Sequence, residues 1–264
     1  MRYVLSFLNG VVSLIVGLAL LTGGAYAGYA LWDNHQIYTA ASGVQLEMLR
    51  LKPQTAEAAN GEAGEEGPSF AELLAVNPDV CGWVSIDNTH IDQPILRGEN
   101  NFVYINTNVY GEFALSGSIF MDARCKGDFS EGYTLLYGHH MANHGMFGDL
   151  DYFKTNGFFE LNHTGDLMLP GQTHALHIVA SVITDAADDL IFDPTVWCED
   201  LDGLADYLDD TALIICKEGM AQFRARLKAG TARILALSTC SDEFTNARTI
   251  LLTLLDERPE KMIA

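Results

Sequence analysis

Three residues of reactive type stand at the ends of apolar runs. Leu237-Ser238-Thr239-Cys240 ends on a thiol and leads into a polar stretch, Ser-Asp-Glu-Phe-Thr-Asn-Ala. Arg248 opens the next apolar run after seven intervening residues. Far upstream, Leu136-Tyr137-Gly138-His139-His140-Met141 brings another run to an end on histidine. A thiol, an imidazole and a guanidinium are what cysteine acyl transfer requires: a nucleophile, a proton carrier and a fixed cation for the oxyanion. An isolated thiol is mostly protonated at neutral pH, and a neighbouring cation shifts it toward thiolate. Arginine keeps its charge throughout and suits a developing oxyanion, whereas histidine suits protonation of a leaving amine.

Each of these residues also has a plainer reading. A cysteine at a strand end commonly packs, and an arginine at a strand start commonly lies on the surface. His139, His140 and His144 with Asp149 make an alternative metal set. Adjacent histidines on a strand point to opposite faces, however, which disfavours a shared ion for His139 and His140. The same holds for His174 and His177, so no metal is expected. Cys81, Cys125, Cys198 and Cys216 are widely spaced and form no C-x-x-C pair. They read as isolated packed thiols, with a disulfide left open by the sequence. Asn162-His163-Thr164 matches a glycosylation sequon without bearing on the chemistry.

Eight apolar or alternating runs would have to carry these groups: Cys81–Ile86, Gln93–Leu96, Ser116–Met121, Tyr133–His139, Asp166–Leu169, Ala175–Thr184, Ala232–Thr239 and Arg248–Leu255. Turn residues separate most of them, the pattern of a closed barrel or sandwich. The short Cys240–Arg248 connection predicts two adjacent antiparallel strands with both side chains near one end. The insert from Asp185 to Gly230 has helical spacing at Leu201, Leu204, Tyr207 and Leu208, and at Phe223 and Leu227. These predict helices packed on the barrel. Ser69 reads as the N-cap of a short helix ending before Asn77-Pro78.

The N-terminal part is of another kind. No charged residue occurs from Tyr3 to Trp32, and Val11 to Ala30 is long enough to cross a bilayer as a helix. Arg2 precedes this run and Asp33 follows it, which predicts a cytoplasmic N-terminus and an exported body. Ala25-Tyr26-Ala27 also fits a signal-peptide cleavage site. The uncleaved anchor is preferred because apolarity continues beyond that point. Residues 33–52 suit a stalk helix, and Pro53 to Pro68 reads as a linker or surface loop. The predicted organisation is therefore an anchor over 1–32, a stalk and linker over 33–68, and a catalytic domain over 69–264. The 264 residues carry 35 acidic against 15 basic side chains, a net charge of −20. Such a surface repels phosphate backbones and argues against nucleic-acid binding.

At the reactive residues the chain resembles the class B sortases of Gram-positive bacteria. Asp33-Asn34-His35-Gln36-Ile37-Tyr38 is similar to that family's post-anchor helix. Asn77-Pro78-Asp79-Val80-Cys81-Gly82-Trp83-Val84 and Ile91-Asp92-Gln93-Pro94-Ile95 are similar to its first strands. Tyr110-Gly111-Glu112, Ser116-Gly117-Ser118-Ile119-Phe120-Met121-Asp122, Tyr137-Gly138-His139-His140-Met141, Met146-Phe147-Gly148 and Leu237-Ser238-Thr239-Cys240 extend the likeness over most of residues 33–255. The resemblance implies a mainly β fold: an eight-stranded sortase barrel with N-terminal helices and a helical insert before the cysteine strand. It implies a membrane-anchored, cofactor-free cysteine transpeptidase that cleaves a C-terminal sorting signal, typically N-P-x-T-x, after the Thr. The acceptor would be an amine of a cell-wall peptide. Cys240 would be the nucleophile, His139 the acid and base, and Arg248 the oxyanion partner, with His140 structural. Ser238, Asn101 and Ile105 would bind the peptide. The Cys–Arg spacing is shorter than in some class B members, which would alter the groove wall. A pilin-joining sortase or a sortase-like hydrolase is the alternative, with a non-enzymatic binding module further off.

Overall fold

The computed structural model describes residues 2–53, 69–185, 190–239 and 247–257. Contacts divide the chain after Ala40. The first unit is helical and lies within α1 (Arg2–Leu49). Its apolar residues are exposed, Leu21 to 74 % and Tyr26 to 75 %, and α1 is long and apolar enough to cross a membrane. α1 runs through the expected anchor and into the first part of the expected stalk.

In the second unit, the last turns of α1 bury Met48 with Leu73, Val80, Trp83 and Leu96. Next comes α2 (Phe70–Val76), started by Ser69 as the sequence predicts. The Ser69 hydroxyl accepts from Ala71 N, and Glu72 reaches back to accept from Ser69 N at 2.6 Å, closing a capping box.

Strands follow in the expected order: β1 (Val80–Ile86), β2 (Asp92–Leu96), β3 (Ile119–Met121) and β4 (Tyr133–Gly138). A 3-10 segment (Gly148–Lys154) and α3 (Asn156–Phe159) lead to β5 (Thr164–Leu169) and β6 (Gln172–Asp185). The insert supplies α4 (Pro194–Glu199), α5 (Leu201–Thr211), a two-residue β7 (Ile214–Ile215) and α6 (Lys217–Ala229). The chain then enters β8 (Ile234–Thr239) and β9 (Ala247–Glu257). The sheet order is β5-β1-β2-β3-β4-β8-β9-β6, and a β5–β6 pairing closes it into an eight-stranded barrel. β7 pairs with β6 at Ala180 and Ser181 and was not among the eight expected runs.

One difference from the sequence reading has a local cause. β3 is shorter than the Ser116–Met121 run because Gly117 adopts a positive φ of 56° and turns the chain before the strand. β4 and β8 are almost wholly buried, matching their continuous apolar runs. They are parallel neighbours, and α4 of the insert packs on β4. Leu204, Leu208 and Phe223 of the insert are fully buried, as their helical spacing predicts.

Candidate active site

The sheet register decides which reactive residues share an edge. β4 and β8 run parallel from Tyr133↔Ile234 to Gly138↔Thr239. The next residues in sequence after this last pair are His139 and Cys240. β9 returns antiparallel to β8, with Ser238 opposite Ile250, so Arg248 enters at the same end. Cys240 itself lies outside the described residues.

Arg248 is half-buried and pairs in register with Thr184 of β6. Its Nη1 donates to the Thr239 carbonyl at 3.4 Å, and Thr249 N donates to Thr239 Oγ1 at 3.2 Å. The guanidinium is thus held at the carbonyl whose carbon is bonded to the Cys240 nitrogen. Ser238, expected to touch the peptide, is fully buried, and its hydroxyl donates to that same carbonyl at 3.3 Å.

His139 Nε2 lies 2.7 Å from the Ile105 carbonyl oxygen. A carbonyl only accepts, so Nε2 carries the proton and donates. Nδ1 of the neutral ring is then the basic nitrogen, and it has no hydrogen-bond partner among the described residues. Ile105 therefore acts on the site through its backbone. Two glycines make this geometry possible. A Cβ on Gly117 would stand 2.2 Å from Ile105 O, and one on Gly138 would stand 2.4 Å from Ile119 Cδ1 and 2.8 Å from the Phe147 ring. The first lets the loop carrying Ile105 descend; the second lets β4 pass beneath its neighbours just before His139.

A buried carboxylate organises the layer below. Asp122 is fully buried and accepts from Asn101 Nδ2 at 3.0 Å, Tyr137 Oη at 3.1 Å, and Arg124 Nε and Nη2 at 2.9 and 2.8 Å. Burial pushes its pKa up, but the hydrogen bonds and charge of Arg124, with Asn101, outweigh that and hold the carboxyl below the usual range. Asn101 Oδ1 also accepts from Ala123 N at 2.7 Å, so both ends of this expected peptide contact are engaged within the fold. Asp122 thereby joins the segment leading to Ile105 with Tyr137, two residues before His139.

The histidines after β4 go to separate partners. His140 Nε2 meets Asp151 Oδ2 at 2.8 Å, and His144 Nδ1 meets the buried Asp149 Oδ1 at 2.8 Å. Asp149 Oδ2 also accepts from His90 N at 2.6 Å. Among the described residues no group of three His, Cys, Asp or Glu converges as a metal site. Asp122, Gly117 and the Ile105 carbonyl are the functional parts that sequence reasoning missed. The motif Ser116-Gly117-Ser118-Ile119-Phe120-Met121-Asp122 contained two of them, without any sign of what they hold.

A closed barrel with these strand ends is the architecture of a cysteine transpeptidase, and the comparisons with known proteins agree. No family model matches the chain. Sortase B of Listeria monocytogenes is 29 % identical over 239 residues, covering 90 % of this chain and 92 % of that protein. Sortase B of Staphylococcus aureus is 28 % identical over 178 residues, covering 67 % and 70 %. The crystal structure of a Streptococcus pyogenes class B sortase involved in pilus biogenesis is 36 % identical, covers 71 % of this chain and 97 % of its own, and superposes with a TM-score of 0.61. The chain belongs to the class B sortases, and it is a cysteine transpeptidase.

Proposed function

We propose that this sortase cleaves a C-terminal sorting signal of an exported protein after a Thr and transfers the protein to an amine of a cell-wall peptide. His139 Nδ1 takes the Cys240 thiol proton, and the thiolate so formed attacks the Thr carbonyl. Arg248 holds the tetrahedral oxyanion as a preorganised cation. His139 protonates the departing amine through Nδ1, while Nε2 stays on the Ile105 carbonyl. A thioacyl intermediate remains. The acceptor amine then attacks it, with Nδ1 taking the amine proton and Cys240 leaving as the thiolate. Ser238 and Asn101 serve the peptide groove from behind: Ser238 shares the Thr239 carbonyl with Arg248, and Asn101 anchors the loop that bears Ile105.

The observation that carries this reading is the pairing of Gly138 with Thr239 in parallel strands, with Arg248 on the Thr239 carbonyl. Residues 1–32 are the membrane anchor, 33–68 the stalk and linker, and 69–264 the catalytic domain. The apolar α1 and the Arg2 before it favour a single pass with the barrel outside the cell. No cofactor enters this scheme.

A second reading, joining pilin subunits through Lys, is favoured by the Streptococcus pyogenes relative involved in pilus biogenesis. Incubating the full chain in detergent with sorting-signal peptides and a panel of amines separates them. Transfer to a wall-peptide amine supports the first reading, and transfer only to a pilin Lys supports the second. Hydrolysis with no amine product overturns both.

A further inference from the structure

Two thiols remote from the catalytic chemistry converge on one atom. Cys125 Sγ lies 4.0 Å from the Tyr133 carbonyl oxygen, and Cys198 Sγ lies 3.3 Å from the same oxygen. Cys125 follows Asp122 in the turn after β3, whereas Cys198 sits on α4 of the insert. The two segments are fastened together around them. Arg124 Nη2 donates to Phe192 O at 2.6 Å and Nη1 to Asp193 Oδ1 at 3.3 Å. Tyr133 Oη donates to Ile191 O at 3.0 Å. A Cβ on Gly132 would stand 2.9 Å from Leu201 Cδ1. Both sulfurs are therefore held at one carbonyl oxygen by polar and packing contacts that owe nothing to a bond between them.

We propose that Cys125 and Cys198 are a cross-linking pair that closes into a disulfide and fixes the helical insert to the barrel, with a low-molecular-weight disulfide as oxidant. Cys198 is half-buried and Cys125 is 1 % exposed, so the order of events is set by access. The Cys198 thiol loses its proton and attacks the small disulfide, forming a mixed disulfide and releasing one small thiol. The Cys125 thiol then loses its proton and attacks the Cys198 sulfur, releasing the second small thiol. Two protein thiols are oxidised and one small disulfide is reduced to two thiols.

Burial pushes the Cys125 thiol up to about 12 and also raises Cys198. Neither sulfur is a ready thiolate, so closure is slow. A bond between two such sulfurs has no stabilised thiolate to leave on reduction, which makes it a durable link and a poor redox catalyst. The inference is independent of the roles given to Cys240, His139 and Arg248.

The test treats the folded full chain with oxidised glutathione, alkylates remaining thiols after unfolding, and maps cysteine peptides by mass without reduction. The expected result is a peptide pair joined through Cys125 and Cys198, two hydrogens lighter than the separate peptides. The oxidised chain should melt higher by roughly 5–10 °C, the scale of one native cross-link in a domain of this size. The Cys198→Ser and Cys125→Ser chains should lose both the joined pair and the gain in Tm. Recovery of Cys125 alkylated in wild type, whether Cys198 is free, joined to glutathione or joined to another cysteine, would overturn the proposal.

Discussion

The Ile105 carbonyl oxygen and His139 Nε2 stand 2.7 Å apart, and this single contact fixes the tautomer of the ring. A backbone oxygen does here what a carboxylate does in many histidine-dependent enzymes. It orients the imidazole without adding a negative charge of its own.

Gly117→Ala should therefore act on turnover from outside the chemistry. The new Cβ would meet Ile105 O at 2.2 Å in a backbone of positive φ, so the loop must lift. Stability is expected to fall by about 1–3 kcal/mol, and kcat for peptide cleavage by at least about tenfold. A denaturant melt with steady-state kinetics checks this, and wild-type kcat would break the link from Gly117 to His139.

Cys240→Ala should abolish cleavage of a sorting-signal peptide. His139→Ala should lower kcat by roughly 10²–10⁴ and Arg248→Ala by roughly 10²–10³, the usual ranges for a proton carrier and an oxyanion partner. Arg248→Lys should rescue little, because a point charge does not reproduce the guanidinium fork. Near-normal turnover by the Cys240 variant in a fluorogenic peptide assay would end the mechanism.

Asp122→Asn should expose the value of the buried carboxylate. The folded-state pKa of Asp122 lies below the usual one, so the charged form is favoured by folding. That stabilisation is present above the unfolded-state pKa and is lost as pH falls through the lower folded-state value. The variant is expected to be less stable by about 1–3 kcal/mol at neutral pH, with the gap closing in acid. Urea melts from pH 7 downward read it; a gap that holds constant in acid would contradict the charged-hub account.

Deleting residues 2–32 should move the protein from the membrane pellet to the soluble fraction with peptide cleavage retained. Fractionation of expressing cells and an assay of the supernatant check both halves. A truncated chain that still sediments with membranes would show that α1 is not the tether.

Much of the barrel was legible because its strands announce themselves. Tyr133–Gly138 and Ile234–Thr239 are built on apolar residues, as almost wholly buried strands must be. The adjacency of β8 and β9 followed from one short connection, whereas β4 joins them only through the fold. What escaped is long-range or lies in the backbone. No side-chain pattern marks the Ile105 carbonyl as a ligand for His139. Asn101 is expected in the peptide groove, and only the fold shows it bonded to Asp122 and to Ala123 N. Ser238 is expected at the peptide, and only the fold shows its hydroxyl buried on the Thr239 carbonyl. The two-residue β7 is too short to carry any period.

Parallel pairing of β4 with β8 has a consequence in time. Between them the chain must first lay down β5, β6 and every helix of the insert, so this contact is among the most distant in sequence. Distant contacts form late, after loop closure has been offset by the rest of the sheet. A nascent copy leaving the ribosome unfolded is accordingly inert. Its scissors are assembled only by the last stages of maturation, which spares neighbouring polypeptides from a half-made blade.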